Sequence, residues 1–110
     1  MSGTLTIREG APVTTFVNVF TVRPERQREL LETLADFTEK VVRHCPGFIG
    51  ASFHGSDDGT RVVNYAQWES AEDLRAMLDS DEARPYLRRT TGLAEHVDPH
   101  TFTVSTVHPR

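Results

Sequence analysis

Apolar and polar residues alternate along several short segments of the chain, and a period of two predicts β-strands. The first segment, Val13 to Val22, is rich in β-branched and aromatic residues. The next two, Phe48 to His54 and Arg61 to Trp68, flank the sequence Ser-Asp-Asp-Gly-Thr, which predicts a hairpin. A last strand is predicted from Thr101 to Val107.

Between these segments the apolar residues recur at helical spacing. From Glu25 to His44 they return every three or four residues, and Pro46-Gly47 stops the predicted helix. A second helix is predicted from Ala71 to Leu78, followed by a short helical piece that reaches about Arg89. The chain from Thr90 to His100 is expected to be a loop.

The order of elements is therefore β-α-β-β-α-β. This order is typical of the ferredoxin-like α+β fold, in which two helices cover one side of a four-stranded antiparallel sheet. The length of 110 residues is that of a single domain, which we place at 13–110 after a flexible N-terminus at 1–12.

Both faces of the predicted sheet are apolar, although the two helices cover only one. Soluble monomers rarely leave a large apolar patch in water. We therefore expect a homodimer packed sheet to sheet. The residues assigned to its interface are Val17, Val19, Ile49, Ala51, Phe53, Val63 and Tyr65.

Charge and composition narrow the choice of partners. The net charge of −4 argues against nucleic acid or an anionic membrane, because both require a basic surface. No apolar run approaches the length of a membrane span, and the N-terminus lacks a signal-peptide core. Cys45 is the only cysteine, so no internal disulfide is expected. A cytoplasmic protein is the prediction.

One face of the first and third strands carries two amides and the only tryptophan. If these strands pair, Asn18 shares a face with Asn64 and Trp68, among apolar neighbours. A buried amide without a hydrogen bond costs about 1–3 kcal/mol, and a tryptophan suits the wall of a site for a flat aromatic ligand. The pattern predicts a pocket. The alternative is ordinary core packing, in which each asparagine bonds a nearby carbonyl.

His54 joins this face only for one length of the hairpin loop. A three-residue loop pairs His54 with Val62 and directs it to the Asn64 side, whereas a two-residue loop turns it to the other side. We favour the first, because Gly59 then takes the left-handed position of such a loop. His54 is then a candidate base, and a surface histidine is the alternative. His96, Asp98 and His100 lack a further ligand close in sequence, so no metal site is predicted.

Three motifs resemble a known family. They are FVNVFTV at 16–22, PGF at 46–48, and DGTRVVNYAQWES at 58–70 leading into AEDLRAML. The chain resembles the antibiotic biosynthesis monooxygenase (ABM) domain family of dimeric α+β barrel oxygenases from about Val13 to Val107. The resemblance implies oxidation of an anthrone-type aromatic polyketide to a quinone with molecular oxygen, and no metal, flavin or haem cofactor. A polyketide cyclase on the same fold and a non-catalytic binding module are the alternatives.

The resemblance also implies which residues form the site. Asn18, Asn64 and Trp68 are the expected catalytic donors, and His54 the expected proton acceptor. Some family members carry a tyrosine on the second helix where this chain has Leu74, which puts a proton relay from that position in doubt. The residues expected to bind substrate are Phe16, Phe20, Leu74, Met77, Tyr86 and Arg88.

Overall fold

The computed structural model describes residues 3–110. Met1 and Ser2, the first residues of the predicted flexible N-terminus, lie outside the described part. Four antiparallel strands form one sheet in the order β2-β3-β1-β4, so the predicted ferredoxin-like α+β fold is confirmed. The elements are β1 Thr14–Thr21, α1 Gln27–Lys40, β2 Phe48–Gly55, β3 Arg61–Trp68, α2 Ala71–Leu78, α3 Arg84–Leu93 and β4 His96–Phe102, with 3₁₀ turns at Pro24–Arg26 and Val42–His44.

The last third of the chain differs from its prediction. Helix α3 continues to Leu93, because Leu93 and Thr90 are buried against the sheet and α1. Strand β4 begins at His96 instead of Thr101, so the predicted loop and the predicted strand bounds are wrong. Pro99 is tolerated within β4 because this edge strand pairs with β1 alone, where a missing N–H is least costly.

The turn between β2 and β3 is one residue longer than predicted. The backbone N–H of Ser56 donates to the carbonyl of Arg61 at 3.0 Å, which leaves four residues in the loop. Asp58 Oδ1 organises this loop by accepting from the Ser56 hydroxyl at 2.8 Å and from the N–H and hydroxyl of Thr60 at 3.0 and 2.7 Å. These hydrogen bonds, chiefly those from Thr60, lower the pKa of Asp58 to about 2. Gly59 has φ +80°.

The loop length decides which side chains of β2 face the helices. Phe53 lies opposite Asn64, and Ala51 also faces the helices, so their assignment to the open face is wrong. His54 lies opposite Val63, on the open face of the sheet. A slip of one residue exchanges the two faces of a strand, and the prediction that His54 shares the Asn64 face is therefore wrong.

Two adjoining clusters of buried side chains form the core between sheet and helices. The apolar stripe of α1, with Leu30, Leu34 and Phe37 buried, contributes to both. None of the helices within residues 3–110 is long and apolar enough to cross a membrane. The first cluster contains Phe37, Val42, Ala66, Trp68, Leu74, Met77 and Ala83; the second contains Phe20, Val22, Leu30, Leu34, Val62 and Leu93.

A glycine turn fixes the start of α2 against the start of β2. Ser70 caps the helix: its hydroxyl oxygen accepts the N–H of Asp73 at 3.1 Å and its hydroxyl donates to Asp73 Oδ2 at 2.9 Å. Gly47, with φ +82°, accepts the N–H of Glu69 at 2.7 Å. A Cβ atom at Gly47 would lie 2.2 Å from Asp73 Oδ2, so only glycine fits this close approach.

The N-terminal segment covers one end of the open face. The side-chain amide of Gln67 donates to the carbonyl of Thr6 at 3.0 Å, and Leu5 approaches Gly50 so closely that a Cβ there would meet Leu5 Cδ1 at 2.5 Å. Elsewhere on this face Val17, Val19 and Val63 are half-buried, and Ile49 is 44% exposed. The sheet-to-sheet dimer and the flexibility of residues 1–12 stay predictions.

Candidate active site

Asn18 and Asn64 lie directly opposite each other on neighbouring strands. The register of β1 and β3 pairs them in the middle of the sheet, where facing Cβ atoms are about 4.5–5.5 Å apart. Both side chains point to the helix side, as do Phe16 and Ala66 one step further along the strands. The prediction that these residues share one face is confirmed.

The two amides differ in their hydrogen bonds. Asn18 Oδ1 accepts the backbone N–H of Asp98 at 3.0 Å, which ties the edge strand to β1. Asn64 Oδ1 is buried and has no partner among the described residues. Buried polar atoms are nearly always bonded, and Asn64 Oδ1 is one of two exceptions among the described residues, the other being Thr15 Oγ1. A catalytic role or a bound water accounts for such an atom. The acceptor oxygen is therefore occupied in Asn18 and free in Asn64.

Asn64 borders a small cavity of about 30 Å³ between the sheet and α1. Trp68 forms part of the wall, is 1% exposed, and packs edge-on against Phe48 with ring centroids 5.3 Å apart. Most of the wall is hydrocarbon, which surrounds the amide with mainly apolar side chains. Its lining includes Phe16, Phe37, Phe48, Ala51, Trp68 and Met77.

A large open cleft of about 880 Å³ adjoins this cavity along one flank of α2. Phe16, Leu74 and Leu78 supply its apolar wall, and Arg75 stands among its polar residues. Phe16 lines both the cleft and the cavity. A ligand in the cleft is therefore one side chain away from the surroundings of Asn64.

A third space of about 360 Å³ lies on the other flank of α2, against the end of α1. Its lining includes Met77, which also borders the cavity. Cys45 is here as well, and burial, with a smaller effect of Glu82, raises the pKa of its thiol. The thiol donates weakly to the Val41 carbonyl at 3.4 Å. A neutral thiol in this setting is a poor nucleophile.

Several residues predicted to bind substrate lie elsewhere. Phe20 is buried in the second core cluster. Tyr86 stacks on Phe37, with ring centroids 5.0 Å apart, and its hydroxyl donates to Asp36 Oδ2 at 3.4 Å. Arg88 is exposed in a shallow groove on α3. The residues that line the cavity and the cleft include none of these three.

His54 is also away from the cavity. It is exposed on the open face, with Nε2 2.9 Å from the Ser52 hydroxyl. The predicted role of proton acceptor in the Asn64 pocket does not fit this position. Within residues 3–110 no three His, Cys, Asp or Glu side chains are grouped to hold a metal ion.

The prediction missed the cavity residues contributed by β2 and α1. Ala51 and Phe53 were placed on the wrong face by the hairpin register, and Thr38 carried no signal beyond its position on α1. The sequence does contain a signal for the longer loop, and hence for the register of β2. In the Ser-x-Asp-x-Thr pattern, the aspartate lies two residues from a hydroxyl on each side, and hydrogen bonds from both hydroxyls to its carboxylate hold the turn together.

Comparison with known proteins agrees with this geometry. Residues 14–89 match the family described as antibiotic biosynthesis monooxygenase. A tetracenomycin-F1 monooxygenase from Streptomyces glaucescens is 51% identical over 81 residues, which cover 74% of this chain and 72% of that protein.

Crystal structures of related proteins share the fold. A monooxygenase from the gene ActVA-Orf6 of Streptomyces coelicolor, in complex with the ligand nanaomycin D, is 30% identical, has a TM-score of 0.77, and is matched over 93% of this chain and 96% of that one. SnoaB, a cofactor-independent oxygenase from Streptomyces nogalater, is 25% identical with a TM-score of 0.72, over 91% of this chain and 100% of that one. The chain belongs to the antibiotic biosynthesis monooxygenase family and is a monooxygenase.

Proposed function

We propose that this monooxygenase oxidises an anthrone-type aromatic polyketide to a quinone with molecular oxygen, without a metal, flavin or haem. The observation that carries the proposal is the unpartnered amide oxygen of Asn64 in a mainly apolar cavity beside an open cleft. The similarity to a tetracenomycin-F1 monooxygenase supports the substrate class, and the similarity to SnoaB supports chemistry that is independent of a cofactor.

The cleft has the size and lining that a flat aromatic substrate requires. Its volume of about 880 Å³ lies within the range of about 300–1,000 Å³ that is usual for small-molecule sites. The cavity, at about 30 Å³, is far too small for a ring. The ring system therefore occupies the cleft against Phe16 and Leu74, and a substrate oxygen reaches past Phe16 into the cavity, where Asn64 and Trp68 are.

The substrate supplies all the electrons for the reaction. Loss of a proton from the methylene carbon gives an enolate, which passes one electron to oxygen. The two radicals combine to form a peroxide at that carbon. Loss of water from the protonated peroxide then leaves the carbonyl. The sum is CH₂ + O₂ → C=O + H₂O, so no external reductant is needed.

Asn64 and Trp68 are assigned to the stabilisation of negative charge on the substrate oxygen. Rotation of the Asn64 amide presents its N–H donors to a ligand, and the indole of Trp68 offers one further N–H. A well-placed donor in a dry site contributes about 3 kcal/mol. Neither Leu74 nor any residue that lines the cavity carries a titratable side chain, whereas Glu72 and His100 line the cleft that receives the ring. The proton acceptor is therefore assigned to the cleft, to one of these two side chains.

Oxygen uptake with a simple anthrone tests the proposal. We expect one molecule of oxygen consumed per quinone formed, by a preparation in which metal and flavin analyses find no stoichiometric cofactor. Asn64→Ala and Trp68→Phe are expected to lower turnover by about tenfold or more, as the loss of a transition-state donor does, while circular dichroism shows an intact fold. Conversion of a polyketide without oxygen uptake would instead support a cyclase. Unchanged turnover in both variants would overturn the assigned site.

We also propose that the open face pairs with a second copy of the chain. Val17, Val19 and Val63 form an apolar stripe there, and Phe102 at its edge is 51% exposed. Burial of such a patch is favourable by about 25 cal/mol per Å². Sedimentation at micromolar concentration is expected to show a dimer, and a stable monomer would contradict the pairing.

A further inference from the structure

We propose that the anthrone carries a carboxylate on the edge remote from its reacting methylene, and that Arg75 binds this carboxylate at the rim of the cleft. The inference rests on the proposed function, because it names the class of anthrone that the cleft receives. It starts from the position of Arg75 on α2 and from the contacts of its guanidinium.

On the described helix α2, one face borders the cleft, and Arg75 is the only charged residue of that face. Its residues recur at the spacing i, i+3, i+4 and i+7, and all of them line the cleft: Ala71, Leu74, Arg75 and Leu78. A wholly apolar ligand would leave a guanidinium on this face without a partner, and removal of its water would be unfavourable. The arginine therefore favours a ligand that brings an anionic group.

The Arg75 guanidinium is free to bind such a group. Among residues 3–110, the carboxylate within 4.0 Å of it is that of Asp79, with Nη1 and Oδ1 4.0 Å apart. This separation is too long for a hydrogen bond, and both side chains are mostly exposed, so the pair contributes little. Glu72 also lines the cleft, but it lies about 60° further around the helix axis, at 100° per residue.

The shape and charge of the guanidinium select a carboxylate. Its planar fork matches the two oxygens of a carboxylate, which it binds through two parallel hydrogen bonds. A carboxylic acid is ionised at neutral pH, whereas a phenol with a pKa near 10 is neutral there. An arginine stays charged and cannot accept the methylene proton, so Arg75 is a binding residue and proton transfer stays with Glu72 or His100.

The position of Arg75 also orients the ring. Leu74 is 4% exposed at the inner end of the cleft, whereas the Arg75 side chain is 73% exposed at its rim. A ring held at both places has one edge near the cavity and the opposite edge near Arg75. A carboxylate so far from the reacting carbon is bound equally in the ground state and the transition state, so Arg75 lowers KM and leaves kcat unchanged.

Three anthrones measure the preference of the wild-type protein. The first carries a carboxyl group on the edge remote from the methylene, the second is the methyl ester of that acid, and the third has a hydroxyl in place of the carboxyl. The KM for the acid is expected to be about tenfold below that for the ester, a factor that corresponds to 1.4 kcal/mol. Equal KM values for acid and ester would overturn the proposal, as would an equally low KM for the uncharged hydroxyl compound at neutral pH.

Two variants of Arg75 and one control assign the preference to this side chain. Arg75→Gln is expected to raise the KM for the acid about tenfold and to leave kcat and the KM for the ester unchanged. Arg75→Glu is expected to favour an anthrone with an aminomethyl group in place of the carboxyl. Arg84→Gln is the matched control, because Arg84 is also an exposed helical arginine, pairs with Asp81 at 3.1 Å and lies outside the cleft. A preference for the acid that survives in Arg75→Gln, or that is lost equally in Arg84→Gln, would overturn the proposal.

Titration calorimetry under nitrogen separates this inference from the proposed function, because no oxidation occurs without oxygen. The acid is expected to bind about tenfold more tightly than its ester, and Arg75→Gln is expected to remove the difference. That result in a protein that oxidises no anthrone would overturn the proposed function and support the carboxylate site. Oxidation of all three anthrones with the same KM would support the proposed function and overturn the site.

Discussion

Replacement of Asn64 by leucine is expected to stabilise the protein and to abolish its oxygenase activity. Asn64 Oδ1 is buried without a hydrogen bond, and such an atom costs about 1–3 kcal/mol. Leucine has nearly the same shape and no polar atom, so the substitution removes this cost. The amide is retained, in this account, because the reaction requires its donors.

Asn18 provides a matched comparison because it lies directly opposite on β1. Its Oδ1 accepts the N–H of Asp98, so Asn18→Leu removes a hydrogen bond and costs about 0.5–1.5 kcal/mol. The two substitutions are chemically identical and occupy neighbouring positions on one face, yet they are expected to change the free energy of unfolding with opposite signs.

Urea denaturation at one fixed protein concentration measures both changes, since association with a second copy makes apparent stability depend on concentration. In thermal unfolding, each kcal/mol corresponds to about 4–8 °C for a domain near this size. If Asn64→Leu loses as much stability as Asn18→Leu, Asn64 is not an amide that lowers stability for the sake of function, and the assignment is refuted. Full oxygenase activity in Asn64→Leu would refute it equally.

Three further outcomes follow from the structure. Gly47→Ala is expected to lower the free energy of unfolding by at least about 1–2 kcal/mol, the cost of a left-handed backbone for alanine, because a Cβ would also meet Asp73 at 2.2 Å; calorimetry of the variant without loss of Tm would contradict this. Asp58 has a folded pKa of about 2, below its ordinary value of about 3.9, so the stability it contributes is complete above about pH 4 and is lost as the pH falls toward 2. Asp58→Ala is expected to flatten the stability profile measured over that window, and an unchanged slope would show that the loop bonds are absent in solution. His54→Ala is expected to keep the rate of anthrone oxidation within about twofold of wild type, because His54 lies on the open face and substitutions that share no contact with a site usually act independently of it. A large loss of kcat would show that His54 is the proton acceptor after all.

The alternation of apolar and polar residues was sufficient to place Asn18, Asn64 and Trp68 on one face. In β1 and β3 this alternation is regular and one side is buried, so a single register satisfies both strands. The hairpin between β2 and β3 escaped prediction because side-chain bonds to Asp58 decide its loop length. Turn propensity alone does not distinguish three residues from four.

Features that depend on distant contacts were not readable in the sequence. The two asparagines look alike along the chain, and only the N–H of Asp98, 80 residues from Asn18, distinguishes them. The extension of α3 past Gly92 depends on the burial of Leu93. Pro99 lowers the intrinsic preference for a strand, and its edge position becomes evident only once the order of strands is known.

Isotope labelling of the quinone tests the central claim most directly. Wild-type protein free of metal and flavin is incubated with an anthrone under ¹⁸O₂ in ordinary water, and the product is analysed by mass spectrometry beside a reaction with Asn64→Ala. The account predicts ¹⁸O in the new carbonyl, formed at a rate that falls by about tenfold or more in the variant. Carbonyl oxygen derived from water, or a rate no faster than the spontaneous oxidation in both proteins, would contradict it.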